Sequence, residues 1–173
     1  MPQTEMTCHS PATEQAPDGA TRIALIGSPN GGKTSIFNQL TGLHAKTGNY
    51  PGVTVSRSEG VARIHDHTFA IEDLPGTYSL SPISPDEQVV VDVLDGRMDQ
   101  VSAPDALVVV ADATALRRSL LLLAEVLPRH LPTAVVVTMT DELRRRQGSL
   151  DVTALSQALG VPVVAVVANR GIG

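Results

Sequence analysis

Gly27-Ser28-Pro29-Asn30-Gly31-Gly32-Lys33-Thr34 is the stretch on which the fold of this chain turns. It matches G-x-x-x-x-G-K-[ST], a loop whose glycines let backbone N–H groups curl around phosphate oxygens. Lys33 adds a mobile cation for the terminal phosphates, and the Thr34 hydroxyl is suited to Mg²⁺. A Gly-rich turn can contain Gly-Lys-Thr by chance, so the flanks decide. Upstream, Arg22-Ile23-Ala24-Leu25-Ile26 is a short apolar run, as in a strand buried on both faces. Downstream, Thr34 to Leu40 reads as a helix with Ile36, Phe37 and Leu40 on one side, ended by Thr41-Gly42. That helix aims its positive end at the bound anion. Asn30, Gly31, Gly32, Lys33, Thr34 and Ser35 are therefore the expected phosphate-binding run.

Working outward, Leu43 to Pro51 shows no periodicity and reads as a loop. Val53 to Ile64 and Phe69 to Asp73 read as strands turning at His65-Asp66-His67. Leu74 to Pro85 is a second long loop. Asp86 to Leu94 is a helix started by Ser84-Pro85. Then come a strand (106–111), a helix (116–127), a strand (134–137), a helix (152–159) closed by Gly160, and a strand (161–167). Alternation of this kind implies a mostly parallel sheet with helices on both faces. The reading is an α/β, Ras-like P-loop NTPase with six strands. Residues 1–20 lack an apolar run and are expected to form a disordered leader, with the domain spanning 21–173. A doubly wound sheet wants another helix after its last strand, so the expectation is a piece of a longer protein, cut near its final helix.

Three further segments fit that frame. Asp73-Leu74-Pro75-Gly76 follows a strand expected beside the first, forty residues on from Lys33. An acid there can hold Mg²⁺ through water, and the Gly76 N–H can sense the terminal phosphate. Alone, D-x-x-G is an ordinary turn; its spacing from the P-loop carries the assignment. Thr54, in Gly52-Val53-Thr54, stands where GTPases place a switch threonine that reaches Mg²⁺ and phosphate. A lone Thr more often simply favours a strand, and its position between the other motifs raises it. The base-reading segment is Thr138-Met139-Thr140-Asp141, where a guanine-specific GTPase usually has Asn-Lys-x-Asp. Asp141, the acceptor for the base N1 and N2 hydrogens, is present. Thr138 and Met139 replace the Asn and the Lys. The competing role for Asp141 is helix capping.

Composition removes several classes. A formal net charge of −5, no Trp, two Tyr and two Phe leave little of a basic face for phosphodiester backbones and few rings for stacking bases, which argues against nucleic acid as a direct partner. The single cysteine, Cys8, has no internal partner for a disulfide, and Cys8-His9 lacks the spaced ligands of a metal site. No segment approaches the roughly 18 apolar residues of a membrane span. His44, His65 and His67 invite an iron site but bring no further ligands.

Together the motifs resemble the N-terminal G domain of the FeoB-type ferrous iron transport proteins. The resemblance rests on the P-loop, on Phe37-Asn38-Gln39-Leu40-Thr41-Gly42, on Gly48-Asn49-Tyr50-Pro51-Gly52-Val53-Thr54-Val55 and on Asp73-Leu74-Pro75-Gly76-Thr77-Tyr78-Ser79-Leu80. It spans about residues 22–173. It implies a GTPase that binds GTP or GDP with Mg²⁺ and lies at the cytoplasmic face of the cell membrane. Helical and membrane permease portions would follow it, and the whole would regulate ferrous iron uptake. It also implies potassium activation, with K⁺ held by Asn30 and by Gly48 and Tyr50 of the switch loop, beside the phosphates. Catalytic roles then fall to Asn30, Lys33, Thr54 and Gly76. Thr77 follows Gly76 where many small GTPases place a water-orienting Gln, so intrinsic hydrolysis is expected to be slow.

The chain departs from the family at both base loops. Thr138 replaces an Asn that also ties its loop to the P-loop. Val167-Ala168-Asn169 stands where the family has Ser-Ala-Arg or Ser-Ala-Lys, and Ala168 keeps the N–H that would meet the guanine O6. One lost hydrogen bond is worth roughly 0.5–1.5 kcal/mol, so weakened rather than abolished affinity is expected. Two alternatives stay open at this point. One is a nucleotide-responsive switch with negligible hydrolysis. The other is a potassium-type GTPase of RNA modification or ribosome assembly, which the acidic balance disfavours. Self-association through the switch loops is compatible with the leading reading.

Overall fold

The computed structural model describes Pro17, residues 19–168 and residues 171–173. The expected leader therefore lies almost entirely outside the described residues, as does Asn169. Seven strands form one mixed sheet: β1 (Thr21–Gly27), β2 (Ala45–Asn49), β3 (Ser56–Ile64), β4 (His67–Asp73), β5 (Ala106–Asp112), β6 (Thr133–Thr138) and β7 (Val163–Ala165). Their order is β2-β3-β4-β1-β5-β6-β7. The strands β4, β1, β5, β6 and β7 run parallel, and the hairpin pairings β2–β3 and β3–β4 are antiparallel. Among the described residues five α-helices connect or flank them: α1 (Lys33–Thr41), α2 (Pro85–Leu94), α3 (Leu116–Val126), α4 (Thr140–Arg145) and α5 (Val152–Leu159).

Why the central strands read as unbroken apolar runs is visible in how they divide between two cores. Successive side chains on a strand point to opposite faces. Ala24 and Ile26 of β1, Leu107, Val109 and Ala111 of β5, and Val135 and Val137 of β6 face one core, which also holds Val90 and Val93 of α2 and Leu122, Leu123 and Val126 of α3. Leu25 and Val110 face the other core, packed with Ile36 and Phe37 of α1. Beside α1 on that second face runs an apolar groove of about 330 Å³, lined in part by Leu40, Val108, Val136 and Val166.

Helix boundaries follow local chemistry. Ser84 caps α2 by accepting from the Glu87 N–H, Pro85 occupies the first turn, and Glu87 in return accepts from the Ile83 N–H, close to a capping box. Asp151 caps α5 through the Ala154 N–H, and Gly160 ends it at φ 69°. Three expectations change. The stretch read as a loop contains strand β2, giving seven strands rather than six. The strand expected from Val53 begins at Ser56, because Tyr50 N–H donates to the Val55 carbonyl and Val53 N–H to the Tyr50 carbonyl, closing a tight loop. The last strand is only Val163–Ala165: Pro162 has no N–H to give a ladder, and Val167 turns aside to bridge Ile172.

Candidate nucleotide-binding site

The P-loop leaves β1 at Gly27 and enters α1 through Gly32, whose φ of 85° is left-handed backbone suited to glycine. Among the described residues no side chain caps α1, so its first N–H groups stay available for an anion. Ser28, Pro29, Asn30, Gly32, Lys33, Thr34, Ser35, Gly76 and Met139 line a pocket of about 500 Å³ over this turn.

Asp73 lies at the centre of the polar chemistry. β1 and β4 pair in parallel with Leu25 opposite Asp73, which sets the acid beside the loop. Its carboxylate pairs with the Lys33 ammonium and accepts from the Thr34 hydroxyl at 3.0 Å. Thr34 Oγ1 and the Asp73 carboxylate are hard oxygen donors side by side, a set that fits Mg²⁺. Gly76 then passes close over the P-loop: a Cβ there would lie 2.9 Å from Pro29 Cα. Thr77 N–H donates to the Gly27 carbonyl at 3.0 Å, and the Thr77 side chain is fully buried, its hydroxyl donating to the Ser79 carbonyl at 2.6 Å. Thr77 thus braces its own loop instead of facing the pocket.

A second pocket, of about 370 Å³, continues from the first through Gly32, Ser35 and Met139 and adds Thr138, Asp141, Glu142, Arg145, Val167 and Ala168. The two base loops are laced together: Thr140 Oγ1 donates to the Val166 carbonyl at 3.2 Å, and Val166 N–H to the Val137 carbonyl at 2.8 Å. Thr138 corrects one expectation. Its side chain was expected to lose the tie to the P-loop, yet the buried hydroxyl donates to the Gly31 carbonyl at 2.6 Å. Asp141 is not the N-cap of α4, a position held by Met139, but lies inside the first turn. Partial desolvation pushes the Asp141 carboxyl up, but the Arg145 hydrogen bond and backbone N–H groups outweigh it and hold it below the usual carboxylate range. Ala168 also lines this pocket.

The switch loop is elsewhere. Gly52, Val53 and Thr54 line a shallow pocket with Val55 and Pro85, and Thr54 is exposed. Gly48 pairs opposite Arg57 in β2. Tyr50 is buried, its hydroxyl bonded to Glu72 Oε1 at 2.9 Å. Burial first, and then the Glu72 carboxylate, push the Tyr50 phenol far above its ordinary value. Of the expected K⁺ ligands, only Asn30 lines the P-loop pocket. Among the described residues no group of three or more His, Cys, Asp or Glu could hold a metal, and no helix is long and apolar enough to cross a membrane. Sequence reasoning passed over Glu142 and Arg145; the Asp141-x-x-x-Arg145 spacing at (i, i+4) was the available signal.

A mostly parallel sheet with a Gly-rich P-loop between the central strand and the first helix, an acid on the neighbouring strand and a second pocket beyond is the plan of a P-loop NTPase G domain. The chain belongs to the family described as ferrous iron transport protein B, whose model matches residues 21–173. It is 43% identical over 161 residues to the Fe(2+) transport protein A/Fe(2+) transporter FeoB fusion protein of Porphyromonas gingivalis, covering 92% of this chain and 19% of that protein. The crystal structure of the G domain of the T. maritima FeoB iron transporter superposes with a TM-score of 0.79 at 39% identity, covering 89% of this chain and 91% of that one. An S. thermophilus NFeoB mutant bound to GDP gives 0.76 at 42% identity, covering 87% and 57%. The chain spans about a fifth of the length of the curated relatives it matches. The RNA-directed alternative is set aside by this membership.

Proposed function

We propose that this chain binds GTP and GDP with Mg²⁺ and hydrolyses GTP slowly, and that the nucleotide state regulates ferrous iron uptake by a membrane permease portion of the full-length protein. The observation that carries this is the convergence of Lys33 and Thr34 on Asp73 beneath an uncapped helix start. The FeoB relatives, one of them bound to GDP, supply the transport context and the guanine base. The domain would then work at the cytoplasmic face of the membrane.

Thr34 and Asp73 would hold Mg²⁺, which neutralises phosphate charge when bound. Lys33 exchanges its carboxylate partner for the terminal phosphates. The N–H groups from Gly31 to Ser35 would position them, and the Gly76 N–H would report on the last phosphate. Asp141 and the Ala168 N–H read the base, with Thr138 holding the loops together and Met139 and Val167 around them. Thr54, with Gly52 and Val53, reaches the phosphates only after the switch loop moves. Potassium stimulation needs the same motion, since the Tyr50 carbonyl here accepts from Val53 N–H and Gly48 is held in β2.

Titration with GTP, GDP and ATP in the presence of Mg²⁺ tests the binding reading, and tighter ATP than GTP binding overturns the base assignment. Single-turnover hydrolysis in KCl against NaCl tests the enzyme, with a faster rate in KCl expected. Equal, near-background rates in both salts would leave the second reading, a switch with negligible hydrolysis. The burial of Thr77 favours that reading, because it removes the side chain nearest to a water-orienting position.

A further inference from the structure

The base-reading carboxylate already has a partner. Arg145 Nη2 donates to Asp141 Oδ2 at 2.8 Å, while Arg145 Nη1 lies 2.7 Å from Glu142 Oε2. Asp141, Glu142 and Arg145 all line the base pocket, so this ion pair sits in the space a base would enter. The chemistry of the two competitors is the same. The N1–H and N2–H donors of guanine stand on one carbon and form a guanidine fragment, and an arginine side chain presents that fragment with a charge.

We propose that Arg145 is an internal competitor of guanine: it occupies the Asp141 carboxylate in the nucleotide-free protein and must release it when the base binds, which makes it a specificity-determining residue that sets base affinity without touching the phosphates. The inference rests on the reading of Asp141 as the base acceptor. Glu142 makes the exchange easy, because the displaced guanidinium keeps its second partner on the same helix. The Arg145 side chain is 66% exposed, and an exposed pair of this kind shifts an equilibrium by only about two- to fivefold. The device therefore tunes nucleotide exchange rather than blocking it.

A double-mutant cycle tests it, with Arg145→Met and Asp141→Ala made singly and together in the 173-residue chain. GDP and ADP affinities are measured by calorimetry, and folding is checked by circular dichroism. Arg145→Met is expected to bind GDP about two- to fivefold tighter, leave ADP unchanged and have no effect when Asp141 is already Ala. Arg145→Gln serves in its place if the Met variant melts early. Unchanged or weaker GDP binding with Asp141 present overturns the competitor and leaves the base reading standing. If Asp141→Ala alone leaves GDP affinity intact, the base reading falls and the competitor with it.

Discussion

The Thr138 hydroxyl has one proton to give, and the Gly31 carbonyl at 2.6 Å is a nearer acceptor than the Ala111 carbonyl at 3.3 Å. A short side chain therefore performs the tie that a longer amide was expected to make, because β6 ends directly beneath the P-loop: a Cβ on Gly32 would lie 3.4 Å from Thr138 Cγ2. Thr138→Val keeps the shape and leaves that carbonyl without its donor. It is expected to cost about 1–3 kcal/mol in denaturant unfolding. It is also expected to weaken GDP and ADP binding alike, since it positions the loop and not the base; Thr138→Ser should restore both. Asp73 invites a different change. Asp73→Asn removes the charge that Lys33 and a Mg²⁺ ion would share, so nucleotide titrations with and without EDTA are expected to lose their difference. A Mg²⁺ dependence preserved in that variant would remove Asp73 from the metal site.

Besides the β3–β4 backbone ladder, a cluster of charged and polar side chains around Glu72 ties the hairpin β2–β3 and the loop between its strands to β4. Glu72, buried in β4, accepts from the Tyr50 hydroxyl and from Arg57 Nε, both at 2.9 Å, and pairs with Arg22, while Arg57 also lies over the Tyr50 ring at 5.8 Å. Burial opposes the Arg57 charge, but Glu72 and Glu59 outweigh it and raise the pKa of the guanidinium. Replacing Glu72 with Ala strands those partners and is expected to cost about 3 kcal/mol in denaturant unfolding. The raised Tyr50 pKa has a defined sign: the fold holds the phenol neutral, so its contribution is whole below about pH 10 and is lost as the pH climbs beyond that. The chain has two tyrosines, so Tyr78→Phe leaves Tyr50 as the only phenol. Its ultraviolet absorbance is expected to show ionisation only together with alkaline unfolding, and a separate earlier step would place Tyr50 in solvent. This element also marks where sequence reading stops. Strands β1, β5 and β6 were legible because both faces are buried, and α5 was legible to the residue because Asp151 and Gly160 bound it. Strand β2, Ala-Lys-Thr-Gly-Asn, is an edge strand exposed along most of its length. It buries no face, so it writes no alternation, and it exists through backbone pairing with β3. The phosphate site was legible for the opposite reason, since its chemistry demands particular residue types in one continuous loop. The candidate base pocket was half legible: Asp141 and Ala168 carry a pattern, whereas the Thr138 bond depends on where β6 ends in space.

At the scale of the whole molecule, the site closes on contacts between segments far apart in sequence, so ligand and fold stability are linked. The P-loop is braced by Thr138 from β6, by Thr77 N–H from the turn after β4 and by the Lys33–Asp73 pair. That turn is in turn fastened to α3, where Glu125 accepts from the Leu80 N–H and Arg118 lies 5.8 Å from the Tyr78 ring. A ligand that binds only the folded chain stabilises it by about 2.7 kcal/mol at a hundred times its Kd. For a domain of this size each kcal/mol moves the midpoint by about 2–4 °C, so GDP with Mg²⁺ is expected to raise Tm by about 5–11 °C. ADP at the same concentration engages the phosphate half of the site alone and is expected to give a smaller rise. Cutting the brace between Glu125 and the Leu80 N–H, by Glu125→Ala, is expected to reduce the GDP shift less than Thr138→Val does, because it reaches the P-loop only through the Thr77 turn. Calorimetric melting of the chain alone, with each nucleotide and in both variants orders these effects. An equal rise with ADP and GDP would mean that the base pocket does not discriminate guanine from adenine, whatever the phosphate loop does.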